Sequence, residues 1–544
     1  MNGADIVMQC LKAEGVSCIF GYPGAAIAPF YDAMYRADTV RHVLVRHEQN
    51  AGHAASGYSR ASGKVGVCCA TSGPGAVNLL TALATAYMDS IPIVAITGQV
   101  PTDLLGRDVF QEADITGACE PFIKYSYLVK NVNDIPRIFK EAFYIAAAGR
   151  PGPVLIDLPI DIQLEEYKEE FEYPETVDII GYKPRTQGHP KQIERAVREI
   201  EQARRPVICA GGGVVSARAR KELLAFAEKL NIPIVSTLMG VGVVPSEHEL
   251  YAGMLGSHGS QAAKLAESNA DLLILCGARV GDRTLAEPGQ TAARARIIHI
   301  DIDTVEIGKN MSVDIPIVGD VRLVLRELTA KSAKQERGEW IAQINDWKSR
   351  SVEPTTGVSR GAVDPCGVMR KLSEAVSGRG KAILVADVGQ NQIWAARSFD
   401  FSGGRFLTSG GMGTMGYSIP AAMGAKLAKP SRQVIAVCGD GSFQMMLPEL
   451  ATLMQEGIVI KIVVMNNGCL GMVRELQDKR YEGRRYAVNI ERTPDTVKLA
   501  NAYGIEALRV ESDDEVEPAI EKMLADRKPY VLECVIDIER NSGD

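Results

Sequence analysis

Val434–Gly471 reads VIAVCGDGSFQMMLPELATLMQEGIVIKIVVMNNGCLG. The apolar run Val434–Cys438 suits a strand buried on both faces of a parallel sheet. It stops at Gly439-Asp440-Gly441, where two glycines flank a carboxylate and let a ligand approach the backbone. Met446, Leu450, Leu453 and Met454 then recur at helical spacing, and Gly457 suits the position just past that helix. The β-branched run Ile458–Met465 delivers Asn466-Asn467 to the same sheet edge as Asp440. In a parallel sheet both strand ends open into the crevice where ligands bind. The stretch predicts a βαβ unit of a doubly wound α/β domain.

One carboxylate and a neutral amide oxygen form a hard-oxygen donor set. It suits a magnesium-type ion whose shell is completed by phosphate oxygens. Asp-Gly and Asn-Gly are each ordinary turn signals on their own. Gly-Asp-Gly followed after 24 residues by Asn-Asn is a sharper pattern, and it resembles the thiamine-diphosphate binding motif.

The rest of the chain bounds what such a unit can serve. The 544 residues are 46% hydrophobic and 23% charged, with a net charge of −7. That length allows roughly three to four domains, and the acidic balance argues against nucleic acid or anionic membrane as the main partner. The N-terminal MNGADIVMQCLKAEG has an amphipathic-helix pattern rather than that of a signal peptide. No apolar run reaches the ~20 residues of a bilayer span. The eleven cysteines include no Cys-x-x-Cys pair, which favours reduced, mostly buried thiols and a cytoplasmic location.

Residues 1–165 alternate helix-like and strand-like segments. Strand-like runs lie at Cys18–Gly21, Val43–Glu48, Val65–Ala70 and Ile93–Thr97, and Ala51–Ala61 is small and helix-prone. Glu48 at its strand end could be a solvent-exposed carboxylate, paired with His47 or Arg46, or a catalytic group facing a ligand. Gln163–His189 is acidic and Pro-rich, without a sustained apolar face, and reads as a linker. Pro190 opens a second alternation through about residue 328, with strand-like runs at Pro206–Ala210, Ile232–Thr237, Leu272–Cys276 and Ile297–Asp301. The glycine triplet Gly211–Gly213 is either a tight turn or a place where phosphate meets backbone amides. Lys331–Val363 reads as the second linker, and the alternation resumes at Pro365. Gly411-Met-Gly413-Thr-Met-Gly416 satisfies Gly-x-Gly-x-x-Gly, but no clear strand precedes it and it reads as a decoy.

YPGAA, RHEQNAGHAASGYSR, TSGPGAVNLLTALATAYMDSIP, TGQV and DVFQEADITG occur in that order before the Gly-Asp-Gly unit. Together they resemble the acetohydroxyacid (acetolactate) synthase catalytic subunit from about Ala4 to about Ile538. The resemblance implies an α/β protein of three doubly wound parallel-sheet domains. These are a pyrimidine-binding domain over 1–165, a central FAD-binding-type domain over 189–330 and a diphosphate- and magnesium-binding domain over 363–544. It implies that pyruvate is decarboxylated on thiamine diphosphate and its two-carbon unit joined to a second 2-oxoacid, in branched-chain amino-acid biosynthesis. Glu48 would activate the cofactor by hydrogen bonding N1′ of its aminopyrimidine. Gly24 and Gln111 would flank the reacting carbon, with Pro74 and Asn78 near the cofactor.

In the last domain the resemblance assigns Gly389, Gln390, Asn391, Gly441 and Ser442 to the diphosphate. Asp440, Asn467 and the Cys469 carbonyl would hold Mg2+, and Met415 would support the bent cofactor. Flavin contacts would come from Arg150, Gly211, Gly212, Gly213, Thr237, Leu238, Gly277, Arg279, Arg283, Asp301, Ile302, Asp320, Val321 and Met412, with FAD in a structural role. Phe110, Arg283, Met472 and Leu476 would line the substrate path. The family also implies a homodimer or homotetramer with its active site at the subunit interface, and a small regulatory subunit. Rival readings are another thiamine-diphosphate 2-oxoacid decarboxylase or carboligase, and a non-catalytic cofactor-binding relative.

Several positions depart from the family pattern. Gly281 removes one flavin-facing carboxylate, Ile160 replaces a common lysine, and Ala25 adds a methyl beside the reacting carbon. Asn391 stands for a histidine, Leu476 for the tryptophan that helps select the larger acceptor, and little chain follows Ile538 where the family has a longer covering tail.

Overall fold

Eighteen short strands, most of them buried on both faces, form three parallel sheets of six among the described residues. The computed structural model describes residues 1–350, 361–377, 381–402, 404–490 and 494–543. The first sheet contains β1 (Cys18–Gly21), β2 (Arg41–Leu44), β3 (Gly66–Ala70), β4 (Ile93–Gln99), β5 (Tyr125–Leu128) and β6 (Pro153–Pro159), in the order β2-β1-β3-β4-β6-β5. The second contains β7 (Pro206–Ala210), β8 (Ile234–Ser236), β9 (Tyr251–Met254), β10 (Leu272–Cys276), β11 (Arg296–Asp301) and β12 (Ile315–Val318), in the order β12-β11-β10-β7-β8-β9. The third contains β13 (Ile383–Ala386), β14 (Arg405–Thr408), β15 (Val434–Gly439), β16 (Lys461–Asn466), β17 (Glu506–Val510) and β18 (Tyr530–Val535), in the order β14-β13-β15-β16-β18-β17. All strand pairs within these sheets are parallel, with helices on both faces, so the doubly wound expectation holds.

The first and third sheets share one strand order, and their equivalent helices pack against each other. Glu48–Ser62 follows β2, and Ser418–Ala428 occupies the same place after β14. Both helices are rich in small buried residues, and their backbones nearly touch. A Cβ at Gly57 would fall on the Ala421 carbonyl, and one at Gly424 on the Ala54 carbonyl. The contact is thus reciprocal about the crossing point. Glu449 reinforces it: fully buried, its carboxylate accepts from Arg46 N–H and Asn50 Nδ2, each at 2.9 Å, and from Thr452 Oγ1 at 2.8 Å.

The opening stretch departs from expectation in detail. Its helix is broken in two, Asp440–Met445 and Glu449–Glu456, because Pro448 cannot continue the first turn's ladder. Met446, Leu450 and Leu453 are buried, but Met454 is 44% exposed. Gly457 takes the left-handed C-cap with φ of 62°. Glu48 does not end a strand: β2 stops at Leu44, and Glu48 is the first residue of its helix, capped by His47.

The second expected linker, Lys331–Val363, is folded in part. Gly338–Arg350 is a helix that buries Trp340, Ile341 and Ile344 against the middle domain, its short apolar stripe hidden among charged neighbours. The part of that linker at 351–360 lies outside the described residues. All eleven cysteines are buried, and no disulfide occurs among the described residues. No helix among the described residues is long and apolar enough to cross a membrane.

Gly57→Ala and Gly424→Ala should each force the helix pair apart. A loss of about 1–3 kcal/mol is expected for overpacking of this kind. Thermal midpoints read by circular dichroism check it, and a midpoint unchanged in both variants would contradict the crossing.

Candidate functional site

At the carboxyl edge of the first sheet, the turns after β1, β2 and β3 converge. Asn78 Nδ2 donates to Glu48 Oε2 over 3.0 Å, holding the carboxylate at the start of its helix. Gly75 and Gly24 both pack against Thr71: a Cβ at Gly75 would come within 3.3 Å of Glu48 Oε1, and one at Gly24 would overlap the Thr71 side chain. Thr71 Oγ1 is buried there without a partner. Gly73, before Pro74, backs onto the carbonyl of Gln111, which adopts a left-handed φ of 60°. Glu48, Gly24, Pro74, Asn78 and Gln111 therefore share one edge, while Phe110 stands 86% exposed beside them.

The loop carrying Gln111 rests on a buried pair. Gln99 Nε2 donates to the Ala113 carbonyl at 2.8 Å and to Asp157 Oδ2 at 2.9 Å, and Thr97 Oγ1 donates to Asp157 Oδ1 at 2.7 Å.

The third sheet presents the matching edge. Asp440 opens the helix after β15, and burial pushes its carboxyl up to about 6, against the pull of backbone donors from Asn467 and Gly441. Its Oδ2 is buried with no partner. Asn467 Oδ1 accepts from Cys469 N–H at 3.2 Å, and Asn489 pairs with Cys469 in an isolated antiparallel bridge. Among the described residues no three His, Cys, Asp or Glu side chains cluster as a metal cage. One carboxylate with an amide and a carbonyl is instead the donor set of a hard cation that shares its shell with phosphate. The orphaned Asp440 oxygen fits that role.

Gln390 begins a nine-residue helix after Gly389, whose φ is 141°. Asn391 Nδ2 donates to the Asp387 and Val437 carbonyls at 2.9 and 3.2 Å, which secures the strand ends beneath. Ser442 is buried and hydrogen bonds Asp387. Met415 reaches the site: its Cε would lie 3.6 Å from a Cβ on Gly441, near Leu470. Met472 and Leu476 lie on the Gly471–Arg480 helix, Leu476 half-exposed.

Gly411–Gly416 is preceded by a strand after all. β14 is a four-residue edge strand containing Arg405 and Thr408, so it shows no apolar run in the sequence. The loop's amides are nonetheless committed. Gly410 and Gly411 N–H donate to Asp89, and Gly416 and Ser418 N–H to Asp387. Exposed Met412 sits within this loop, and Arg279 approaches it at Gly411.

In the middle domain the expected flavin residues are scattered over several jobs. Gly211 and Gly213 N–H donate to the Cys276 and Gly277 carbonyls, so the glycine triplet packs two turns tightly together. Arg150 pairs with Asp303 and Glu306 at 3.2 and 2.8 Å and donates to Ser90, clamping the first domain to the second. Asp320 caps the helix starting at Val321. Asp301 is buried, its carboxyl raised to about 6 by desolvation, and it accepts from Asp303 N–H rather than from anything at Ile302. Thr237 is buried and precedes a short 3-10 turn at Leu238. Arg283 is exposed, 3.7 Å from Asp282. A side chain at Gly281 would meet open space. The donor set fits a flavin only in part, since Arg150 and Asp320 are already engaged.

Among the carboxylates outside the sequence expectations are Asp387, Glu449 and Glu475. Asp387, ending the run ILVAD, carried a signal; Glu449 and Glu475 act through partners hundreds or scores of residues away and carried none.

Two sheets of one strand order present equivalent edges, one with Glu48 and one with Asp440 at a helix start, an arrangement that suits a thiamine-dependent architecture, and sequence-family profiles agree. The N-terminal, central and C-terminal domains of thiamine pyrophosphate enzymes match residues 1–118, 193–328 and 387–534. The chain belongs to the thiamine pyrophosphate enzymes, in the acetolactate synthase large-subunit family. It is 47% identical over 546 residues to a probable acetolactate synthase large subunit of Methanocaldococcus jannaschii, covering 99% of this chain and 92% of that protein. The Corynebacterium glutamicum acetolactate synthase large subunit is 47% identical over 98% of this chain and 87% of its own length. The Haemophilus influenzae acetolactate synthase large subunit is 42% identical over 98% and 94%.

Burial raises the Asp157 carboxyl from 3.8 to about 7. The folded chain thus binds this proton more tightly than the unfolded one. The group stabilises most below pH 3.8 and loses that contribution as pH rises toward 7. Asp157→Asn should flatten the decline in thermal midpoint between about pH 4 and about pH 7. An equally steep decline in the variant would refute this.

Proposed function

We propose that the chain is a thiamine-diphosphate- and Mg2+-dependent acetolactate synthase serving branched-chain amino-acid biosynthesis in the cytoplasm. It removes CO2 from one pyruvate and joins the remaining two-carbon unit to a second 2-oxoacid. Pyruvate gives 2-acetolactate, and 2-oxobutyrate gives 2-aceto-2-hydroxybutyrate. The observation that carries this reading is Glu48, held by Asn78, together with the orphaned Asp440 oxygen beside Asn467 at topologically equivalent edges.

Bound thiamine diphosphate supplies the electron sink for decarboxylation. Glu48 exchanges a proton at N1′ of the aminopyrimidine, and Asn78 orients it. Asp440, Asn467 and the Cys469 carbonyl hold Mg2+. Gly389, Gly441, Ser442 and the backbone at Gln390–Asn391 would receive the diphosphate, the side-chain amides of Gln390 and Asn391 being engaged within the fold, and Met415 would pack against the cofactor. Gly24 and Gln111 flank the reacting carbon, and Phe110, Arg283, Met472 and Leu476 border the substrate path. FAD is an ancillary structural group beside Gly211–Gly213, Arg279 and Asp301, and no step passes through it.

The working unit is a homodimer or larger. Tyr22, Val77 and Phe110 are exposed at the first edge, and Met412, Met445, Val473, Leu476 and Tyr486 are exposed in the third domain. Large apolar side chains left bare at both half-sites support completion of each by a second copy. The large-subunit designation of the relatives supports a small regulatory subunit as a further partner.

Omitting pyruvate, Mg2+, thiamine diphosphate or FAD one at a time from an acetolactate assay tests reaction and cofactors together. Glu48→Gln should lower turnover by about 10²–10⁴-fold; near-normal turnover would exclude Glu48. Mixing Glu48→Gln chains with Asp440→Asn chains, each inactive alone, should restore activity through one intact site per mixed dimer. Persistent inactivity of a verified mixed dimer would place both residues of a site in one chain. Leu476→Trp should shift competition between acceptors toward 2-oxobutyrate, and an unchanged product ratio would remove Leu476 from acceptor selection.

A further inference from the structure

The side-chain amides of Gln390 and Asn467 each have one accepting end and one donating end, alike in shape but opposite in chemistry. Their surroundings choose between the two orientations. Gln390 Nε2 lies 2.6 Å from Glu475 Oε1 and 2.7 Å from the Arg540 carbonyl, and neither oxygen can donate. Both Nε2 hydrogens are therefore engaged, and Oε1 must face the other way. There it accepts from Asn467 Nδ2 over 2.8 Å. Asn467 is turned in the same sense by both neighbours, so that Oδ1, which accepts from Cys469 N–H at 3.2 Å and is the oxygen a cation would share, lies opposite the Gln390 contact. Gly471 makes room for the relay, since a Cβ there would fall on Gln390 Oε1.

Glu475 is itself buried and held from the chain's last residues. Ser542 N–H donates to Oε1 at 2.6 Å, and Ser542 Oγ donates to Oε2 at 3.0 Å. The same strap is tied down by buried Arg474, whose Nη2 donates to the Arg540 carbonyl at 2.8 Å and to Asn541 Oδ1 at 3.0 Å. Trp394 Nε1 adds a bond to the Asn541 carbonyl at 3.3 Å.

We propose that Glu475 is a positioning residue for the divalent cation. The relay from Glu475 through Gln390 to Asn467, closed by the Arg540–Ser542 strap, holds the Asn467 amide oxygen toward the metal alongside Asp440. This rests on the reading of Asp440 and Asn467 as metal ligands. Partners that orient a ligand in this way are typically worth about 10–100-fold in metal affinity.

The test measures Mg2+ affinity by calorimetric titration with thiamine diphosphate present, beside the thermal midpoint without Mg2+. Glu475→Ala should weaken Mg2+ binding by about 10–100-fold, and excess Mg2+ should restore cofactor binding. Glu475→Gln retains an accepting oxygen and should recover most of the affinity. A chain ending at Glu539 removes the strap and should weaken Mg2+ binding in the same direction; it carries the test if Glu475→Ala does not fold. Unchanged Mg2+ affinity in folded Glu475→Ala, or a loss that no Mg2+ concentration restores, would overturn the relay. Asp440→Asn separates the two levels. If it too leaves Mg2+ binding unchanged, the ligand assignment itself fails; if it alone abolishes binding, only the relay does.

Discussion

The crossing of Glu48–Ser62 with Ser418–Ala428 is the constraint on which the rest of the molecule depends. Two backbones meet there with Gly57 on the Ala421 carbonyl and Gly424 on the Ala54 carbonyl. Contact that close fixes translation as well as angle, because dense interiors leave little room to slide. Glu48 sits at one end of the first helix, and the loop bearing Met415 leads into the second. Glu449 adds a directional element to an otherwise apolar contact. Its carboxylate takes the Arg46 N–H and the Asn50 amide on either side of Glu48, so the third domain sets the entry angle of the helix that carries the first domain's acid. A buried carboxylate satisfied by three donors rigidifies what it joins.

The shared strand order of the first and third sheets gives this contact its symmetry. The turn after β3 supplies Thr71–Pro74, and the turn after β15, its counterpart, supplies Asp440–Ser442. One scaffold thus offers two versions of the same edge, one presenting Glu48 and the other Asp440 and Asn467. The middle sheet has its own order and is fastened at the seams: Arg150 bridges it to the first domain, and Arg279 meets the Gly411 loop, which is itself tied to Asp89.

Central strands were readable because burial on both faces demands unbroken apolar runs, as in Pro206–Ala210 and Leu272–Cys276. Edge strands such as β14 and β17 keep polar side chains and lacked that mark. The Gly338–Arg350 helix is obscured by charge, and Glu48 reads as a strand end because the chain bends through Val45–His47 without a glycine or proline. At the site, Gly-Asp-Gly and Asn-Asn were legible because two strands ending at one sheet edge in glycine, carboxylate and amide form a restricted pattern of residue types. The carboxylates that orient those groups were not. Glu475 works through Gln390, 85 positions earlier, and Glu449 through Asn50, 399 positions earlier.

The buried thiols have a consequence for how the molecule reports on itself. Desolvation holds them protonated: Cys18, Cys69, Cys119 and Cys209 are pushed up to about 12, and Cys469 to about 11. Reaction with alkylating agents or peroxide needs the thiolate and access to it, so burial and raised pKa together favour silence of these thiols toward such reagents while the domains stay closed. Opening any one domain ends that silence locally, at Cys10 or Cys68 in the first, Cys209 or Cys276 in the second, and Cys438 or Cys534 in the third. The chain carries its own set of position-resolved unfolding reporters, distributed across all three sheets.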